Sequence, residues 1–189
     1  MMLATLSSLS IFAHAGQDEP FKDLVFSGFF DVYYQHSLND PGVRTGLFGR
    51  QFDTNHAQFT FSSMQVNMQK KTTEENPFGF TLQLTAGKNT DILHATDPAG
   101  PESTKHLWQA YATYAAKNGM TVDLGKFSTW VGYESGTPVA NDLYSISFLY
   151  FFCQPIFHTG LRVSKPVGPA TVTAAVVNGW NESEDSNAN

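Results

Sequence analysis

Residues 78–86 have the sequence FGFTLQLTA, and this stretch decides the fold class. Its even positions, from Phe78 to Ala86, are apolar, whereas its odd positions hold Gly, Thr and Gln. Successive side chains of a strand point to opposite sides, so a period of two gives one apolar and one polar face. We therefore predict a half-buried β-strand over residues 78–86.

The same period recurs along the chain. Together the predicted strands cover Leu24–Gln35, His56–Lys70, Phe78–Ala86, Lys105–Ala115, Met120–Phe127, His158–Lys165 and Ala170–Trp180. In the second of these, the apolar phase slips at Ser62-Ser63, which predicts a one-residue bulge that restores a continuous face. Between the fourth and fifth, Asn118-Gly119 predicts a type I′ hairpin turn, because both central residues of that turn need positive φ.

The connections between these strands alternate in length. Those over residues 37–55, 89–104 and 128–157 are long, whereas those over 71–77, 116–119 and 166–169 are short. Long loops at one end and short turns at the other are typical of a transmembrane β-barrel, with the long loops extracellular and the short turns periplasmic. Because such barrels close with an even number of strands, the seven predicted strands indicate part of a porin-sized, antiparallel, all-β barrel.

The composition agrees with a wall that has one apolar and one wet face. Of 189 residues, 41% are hydrophobic and only 15% are charged, against about 25% charged in ordinary soluble domains. A soluble β-sandwich could have the same composition, so that alternative stays open. The net charge of −6 and the lack of a basic cluster argue against nucleic acid as a partner.

The first residues carry a targeting signal. An apolar run from Leu3 to Phe12 precedes Ala13-His14-Ala15, which has the A-x-A form of a cleavage site, although no Lys or Arg stands before the run. Residues 1–15 are therefore predicted to be a secretory signal peptide. Residues 16–189 are predicted to form the N-terminal part of a single barrel domain.

Several segments resemble those of a known family. They are Ser27–Tyr34 (SGFFDVYY), Phe52–His56 (FDTNH), Asp123–Phe127 (DLGKF), Gln154–Arg162 (QPIFHTGLR) and Val177–Asn181 (VNGWN). In this order and spacing they are similar to the OmpL-like β-barrel porins (β-barrel porin type 2). The resemblance implies a channel in the bacterial outer membrane that passes small polar solutes or ions. It also implies a barrel that continues beyond the present sequence.

Strand parity selects residues for the wet face of the wall. The candidates for lining the pore are Asp31, Gln65, Asn67, Gln83, Gln109, Asp123 and Arg162. Because the fifth and sixth predicted strands should be neighbours, Arg162 is expected to pair with Asp123. Charge in a narrow pore influences ion preference, although a polar residue on a wet face is often merely solvated.

The third long connection, residues 128–157, contains the segment Ser145–Cys153 (SISFLYFFC), which is too apolar to remain in water. In one interpretation it folds inward and narrows the pore, with Glu134 and Asp142 facing the path. In the other, the next strand simply extends through an aromatic girdle. The sequence leaves both open.

No residue pattern predicts catalysis, a metal site or a cofactor. The histidines lack metal-ligand spacing, and the single cysteine, Cys153, cannot form an intrachain disulfide. The expected surroundings are outer-membrane lipid and lipopolysaccharide, and oligomer formation rests on analogy alone. A porin is favoured over a secreted β-sandwich that binds a ligand and over an outer-membrane barrel enzyme.

Overall fold

Antiparallel strands form one continuous sheet in the computed structural model, which describes residues 9–14, 23–38 and 47–186. The strands are β1 (Leu9–His14), β2 (Leu24–Gln35), β3 (Gln58–Lys70), β4 (Phe78–Ala86), β5 (Leu107–Ala115), β6 (Thr121–Ser128), β7 (Phe157–Val167) and β8 (Ala170–Val177). Each pairs with its neighbours in sequence order, and no crossover occurs. The all-β antiparallel fold and the partial barrel are confirmed, and the seven predicted strands correspond to β2–β8.

The connections keep the predicted alternation. Residues 36–57, 87–106 and 129–156 join strands at one end of the sheet, and the short turns lie at the other. The long connections contain the short helices α1 (Lys88–His94) and α2 (Phe148–Cys153), and 3₁₀ turns at Glu102–Thr104 and Pro138–Ala140. None of the helices in the described ranges is long and apolar enough to cross a membrane.

The predicted bulge in β3 is confirmed. Asp31 of β2 is opposite Ser63, and the next residue, Val32, is opposite Phe61, so Ser62 is the extra residue. Ser62 and Ser63 are both buried on the same side of the sheet. The bulge therefore keeps the apolar residues before and after it on one face, although their positions change from odd to even.

The predicted geometry of the turn between β5 and β6 is wrong. Gly119 has a φ of 80°, but Asn118 does not have positive φ, so the turn is not type I′. Instead the Gly119 amide donates to the Ala116 carbonyl at 3.0 Å, and Asn118 Oδ1 accepts from the Met120 amide at 3.1 Å. The Asn118 side chain thus caps the turn, and only the glycine adopts the left-handed conformation.

The outer face of the sheet, defined by Phe59, Val66, Leu124, Val176 and the residues in register with them, is apolar and exposed. The exposed fraction is 69% for Phe59, 61% for Leu124 and 77% for Val176. Soluble monomers rarely expose contiguous apolar surface on this scale. The outer face therefore fits a hydrocarbon environment.

Aromatic pairs mark both ends of this outer face. Tyr34 and Phe59 lie 5.1 Å apart between ring centroids at the long-loop end, and Phe78 and Tyr114 lie 5.2 Å apart at the short-turn end. At about 3.3 Å per residue and a tilt of roughly 40°, the stretch from Leu24 to Tyr34 crosses about 25 Å. This height matches the apolar band of an outer-membrane barrel, with aromatic girdles at its borders.

Strand β1 lies within the predicted signal peptide, most of which falls outside the described residues. Leu9 is opposite Phe30 and His14 is opposite Val25, so this segment pairs along much of β2. Removal of residues 1–15 stays a prediction, and it would leave the β2 edge available to another strand.

Opposite faces of β3 allow a direct test of the membrane assignment. Val66→Arg places a charge at mid-height on the outer face and should lower the free energy of unfolding in lipid by about 2–4 kcal/mol. The adjacent Asn67→Arg, on the opposite face, should cost less because its side chain reaches a polar environment. Denaturant titration of the folded protein in lipid vesicles measures both, and equal losses would contradict the assignment.

Candidate functional site

The face opposite the apolar one, here called the inner face, carries the predicted pore-lining residues. Strand register places all of them on it: Asp31, Gln65, Asn67, Gln83, Gln109, Asp123 and Arg162. That they line a pore stays a prediction, but their common face follows from the pairing of each strand with the next.

Hydrogen bonds join these side chains across neighbouring strands. Gln109 Nε2 donates to Gln83 Oε1 at 2.5 Å, and Gln109 Oε1 accepts from the Ser128 amide at 2.9 Å. Asn67 Nδ2 donates to Ser27 Oγ at 3.1 Å. These polar side chains therefore find hydrogen-bond partners along the wall, as buried polar groups require.

The predicted ion pair between β6 and β7 is confirmed. Asp123 and Arg162 are directly opposite in the strand register, and Asp123 Oδ2 accepts from Arg162 Nη2 at 2.7 Å and from Nε at 3.0 Å. Thr113 of β5 donates to the other carboxylate oxygen at 2.6 Å. Both carboxylate oxygens are thus occupied, and the two opposite charges largely cancel.

Aromatic rings hold the Arg162 guanidinium in place. Its Cζ lies 4.4 Å from the ring centroid of Phe127 and 5.6 Å from that of Trp130. Trp130 also packs against His158 at 4.6 Å between ring centroids. These contacts favour one position of the guanidinium, beside Asp123.

The connection between β6 and β7, residues 129–156, packs against the inner face and is here called the inward loop. Tyr144 Oη donates to Asp31 Oδ2 of β2 at 2.8 Å, and Thr137 Oγ1 donates to Gln65 Oε1 of β3 at 3.3 Å. These contacts agree with the inward alternative. Extension of the next strand is wrong for this segment, because residues 148–153 form a helix.

Apolar side chains fix the inward loop to the other connections. A buried cluster joins the three long connections to β5 and to the start of β7: Phe52, Leu93, Trp108, Ile146, Tyr150, Ile156 and Phe157. Gly136 lies so close to this cluster that an added Cβ would meet Tyr150 Oη at 2.6 Å and the Trp108 ring at 2.8 Å. The apolar part of the loop is therefore removed from water at the long-loop end.

The first long connection supplies a second polar anchor. Ser145 Oγ donates to Asp53 Oδ2 at 2.7 Å, and the Arg50 guanidinium bonds to both of these groups. Asp53 is 2% exposed, and its Oδ1 has no hydrogen-bond partner. Asp53 lines a small cavity, and Asp31, Ser62, Asn89 and Tyr144 are among the other residues that line it. Asn89 Oδ1 is also buried without a partner.

Lys88, in α1, contacts the first connection and forms no ion pair with the residues that the structure describes. Its Nζ donates to Thr54 Oγ1 at 2.5 Å, to Asn55 Oδ1 at 3.2 Å and to Tyr33 Oη at 3.4 Å. Burial lowers the pKa of Lys88, and the charge of Asp53 partly opposes this. Lys88 therefore binds the first connection mainly through neutral oxygens.

The structure places the two acidic residues of the inward loop within the loop itself. Glu134 Oε1 accepts from the Ser147 amide at 2.9 Å, and Glu134 is partly exposed. Asp142 is exposed and accepts from Tyr133 Oη at 2.5 Å. Neither reaches the sheet, and their role at a constriction stays a prediction.

Several residues of this site were not identified from the sequence. Tyr144, Ser145 and Thr137 carry no pattern that reveals a partner in β2, in β3 or in the first connection. Asp53 belongs to the FDTNH segment that carried the resemblance, but nothing in that segment indicates Ser145. No group of three or more His, Cys, Asp or Glu within the described residues is arranged to hold a metal, and Cys153 is free and exposed.

The contact between Tyr144 and Asp31 is expected to hold the inward loop in place. Burial raises the pKa of Tyr144, so its hydroxyl remains a donor at neutral pH. Tyr144→Phe leaves the buried Asp31 carboxylate without this donor, at a cost of about 1–3 kcal/mol. Hydrogen exchange of residues 140–150 should accelerate.

Tyr133→Phe is the matched control. It removes the same atom from the same loop, but its partner Asp142 is exposed and can bond to water instead. Equal acceleration of exchange in both variants would show that the Asp31 contact does not anchor the loop.

Comparison with known proteins agrees with this architecture. The model of the family described as "Putative beta-barrel porin-2, OmpL-like" matches residues 23–189. No curated protein and no solved structure matches the chain. The matched region begins just before β2 and includes the outer face, the inner face and the inward loop. The chain belongs to the OmpL-like β-barrel porin family.

Proposed function

We propose that the complete barrel containing this chain forms a water-filled channel in the bacterial outer membrane. Small polar solutes or ions would diffuse through it along their gradients. The observation that carries the proposal is a polar inner face crossed by the inward loop, with Tyr144 bonded to Asp31 on β2. A polar interior behind an apolar outer face is the arrangement of a porin wall.

The family implies an outer-membrane location and suggests a channel that is not an enzyme. On this proposal, residues 1–15 are removed during export, and residues 16–189 form the first part of the barrel domain. Outer-membrane lipid and lipopolysaccharide would surround the apolar face. Oligomer formation follows only from analogy with other porins.

The two alternative functions have less support. A secreted β-sandwich would bury one apolar face against a second sheet, whereas the described residues form one sheet whose apolar face is exposed. An outer-membrane enzyme would need a reactive group on this scaffold. The inner-face carboxylate Asp123 is instead fully engaged by Thr113 and Arg162.

Channel formation is tested directly with the full-length barrel. Purified protein should produce stepwise conductance in planar lipid bilayers, because the interior is polar along the wall. Faster migration of the unheated protein on a detergent gel establishes that the barrel is folded. Folded protein that leaves the bilayer silent would contradict the proposal.

The position of the inward loop in the conducting path can be tested by attaching a bulky group. In a Cys153→Ser background, Asp142→Cys offers an exposed thiol on the loop, and a large thiol reagent should reduce single-channel conductance. Glu74→Cys, in the exposed turn between β3 and β4, is the control and should change conductance little. Full labelling of Asp142→Cys without any change would place the loop outside the path.

A further inference from the structure

The arginines of the inner face and of the described part of the first connection are already engaged by carboxylates. Arg162 pairs with Asp123 at 2.7 Å, and Arg50 pairs with Asp53. Each pair is close to neutral from a distance, so neither contributes a strong net field to the path beside it. The net field along the path therefore depends on the ionisable groups outside these two pairs.

Three carboxylates in or beside the inward loop lie outside these two pairs. Asp31, Glu134 and Asp142 are bonded only to neutral groups among the described residues: the Tyr144 hydroxyl, Ser147 and the Tyr133 hydroxyl. Opposed to them among the described residues are Lys88, which binds neutral oxygens in the first connection, and Lys126 of β6, whose Nζ donates to Ser183 Oγ at 3.1 Å. The inward loop itself contains Glu134 and Asp142 but no Lys, Arg or His between residues 129 and 156.

A second observation concerns hydrogen-bond acceptors at the junction of the inward loop and the wall. Asp53 Oδ1 and Asn89 Oδ1 are both buried, both are acceptors, and neither has a donor. Both residues line a cavity of about the size of one water molecule, together with Asp31. Acceptor oxygens without donors make this junction favourable for positive charge.

Fixed charges act strongly on an ion when a narrow path keeps the ion close to them. Two charges near a protein surface interact several times more strongly than in bulk water, because the effective dielectric constant is lower there. The screening length is about 10 Å at 0.1 M salt. Fixed carboxylates on a loop that crosses the interior therefore act on every ion that passes beside it.

We propose that the inward loop makes the channel prefer small inorganic cations over anions, through Glu134 and Asp142 of the loop and Asp31 of the wall. This rests on the proposed channel function and names the class of solute that passes most readily. Asp142 is the main determinant, because it is exposed and retains access to passing ions. Asp31 acts from within the wall at the point where Tyr144 anchors the loop.

The test measures the reversal potential of the full-length barrel in a planar bilayer that separates two concentrations of potassium chloride. The wild-type protein should show a permeability ratio of potassium to chloride above one. Asp142→Asn combined with Glu134→Gln should lower this ratio at least twofold. If the double variant fails to fold, Asp142→Asn alone provides the test. The Asp142 side chain is exposed, so this substitution should leave folding intact, and it should also lower the ratio.

Glu74→Gln with Glu75→Gln provides the control with the same change in net charge. These residues lie in the turn between β3 and β4, at the other end of the sheet from the inward loop. The ratio should remain at the wild-type value in this control.

The outcomes separate the two proposals. Folded protein without any conductance overturns the channel function itself. Normal conductance with a ratio at or below one overturns the cation preference. A ratio above one that the loop variants leave unchanged, or that the turn control lowers equally, overturns the assignment to Asp142 and Glu134.

Discussion

A backbone in hydrocarbon must find all its hydrogen-bond partners within the protein, and the rest of this structure depends on that constraint. Between the two edges of the described sheet, the chain meets it by pairing each strand with the next, without crossovers, from β1 to β8. Pairing by itself leaves the two faces of the sheet free to differ. The alternation of side chains then assigns apolar residues to lipid and polar residues to the interior.

This division reverses the usual location of polar groups. The buried residues of β2 include Asp31 and Gln35, whereas Phe30 on the same strand is exposed. Buried polar groups need partners, and here the long connections supply them. Tyr144 bonds to Asp31, and Asn55 accepts from Gln35 at 2.9 Å. The connections therefore complete the interior, and the apolar cluster around Tyr150 secures them at one end of the sheet.

Residues that act through strand geometry could be predicted, and residues that act through loop geometry could not. Alternation located β4 to the residue, the phase slip located the Ser62 bulge, and parity joined Asp123 to Arg162. Each inference uses a fixed spacing within or between adjacent strands. Asp31 and Tyr144 are separated by 113 positions, and no local rule specifies such a contact. Segment 148–153 is a short apolar run, which periodicity alone cannot assign to helix or strand.

The bulge in β3 has a consequence for where along the barrel axis the inward loop can dock. It turns two successive serines inward beside Asp31, and Ser62 lines the same cavity as Tyr144. The docking level is thus set by the count of residues along β3, which covalent structure fixes, and not by the length of the loop. In the proposed channel, insertions or deletions near the loop tip would therefore alter the width of the passage, while its narrowest point would keep the same depth in the membrane.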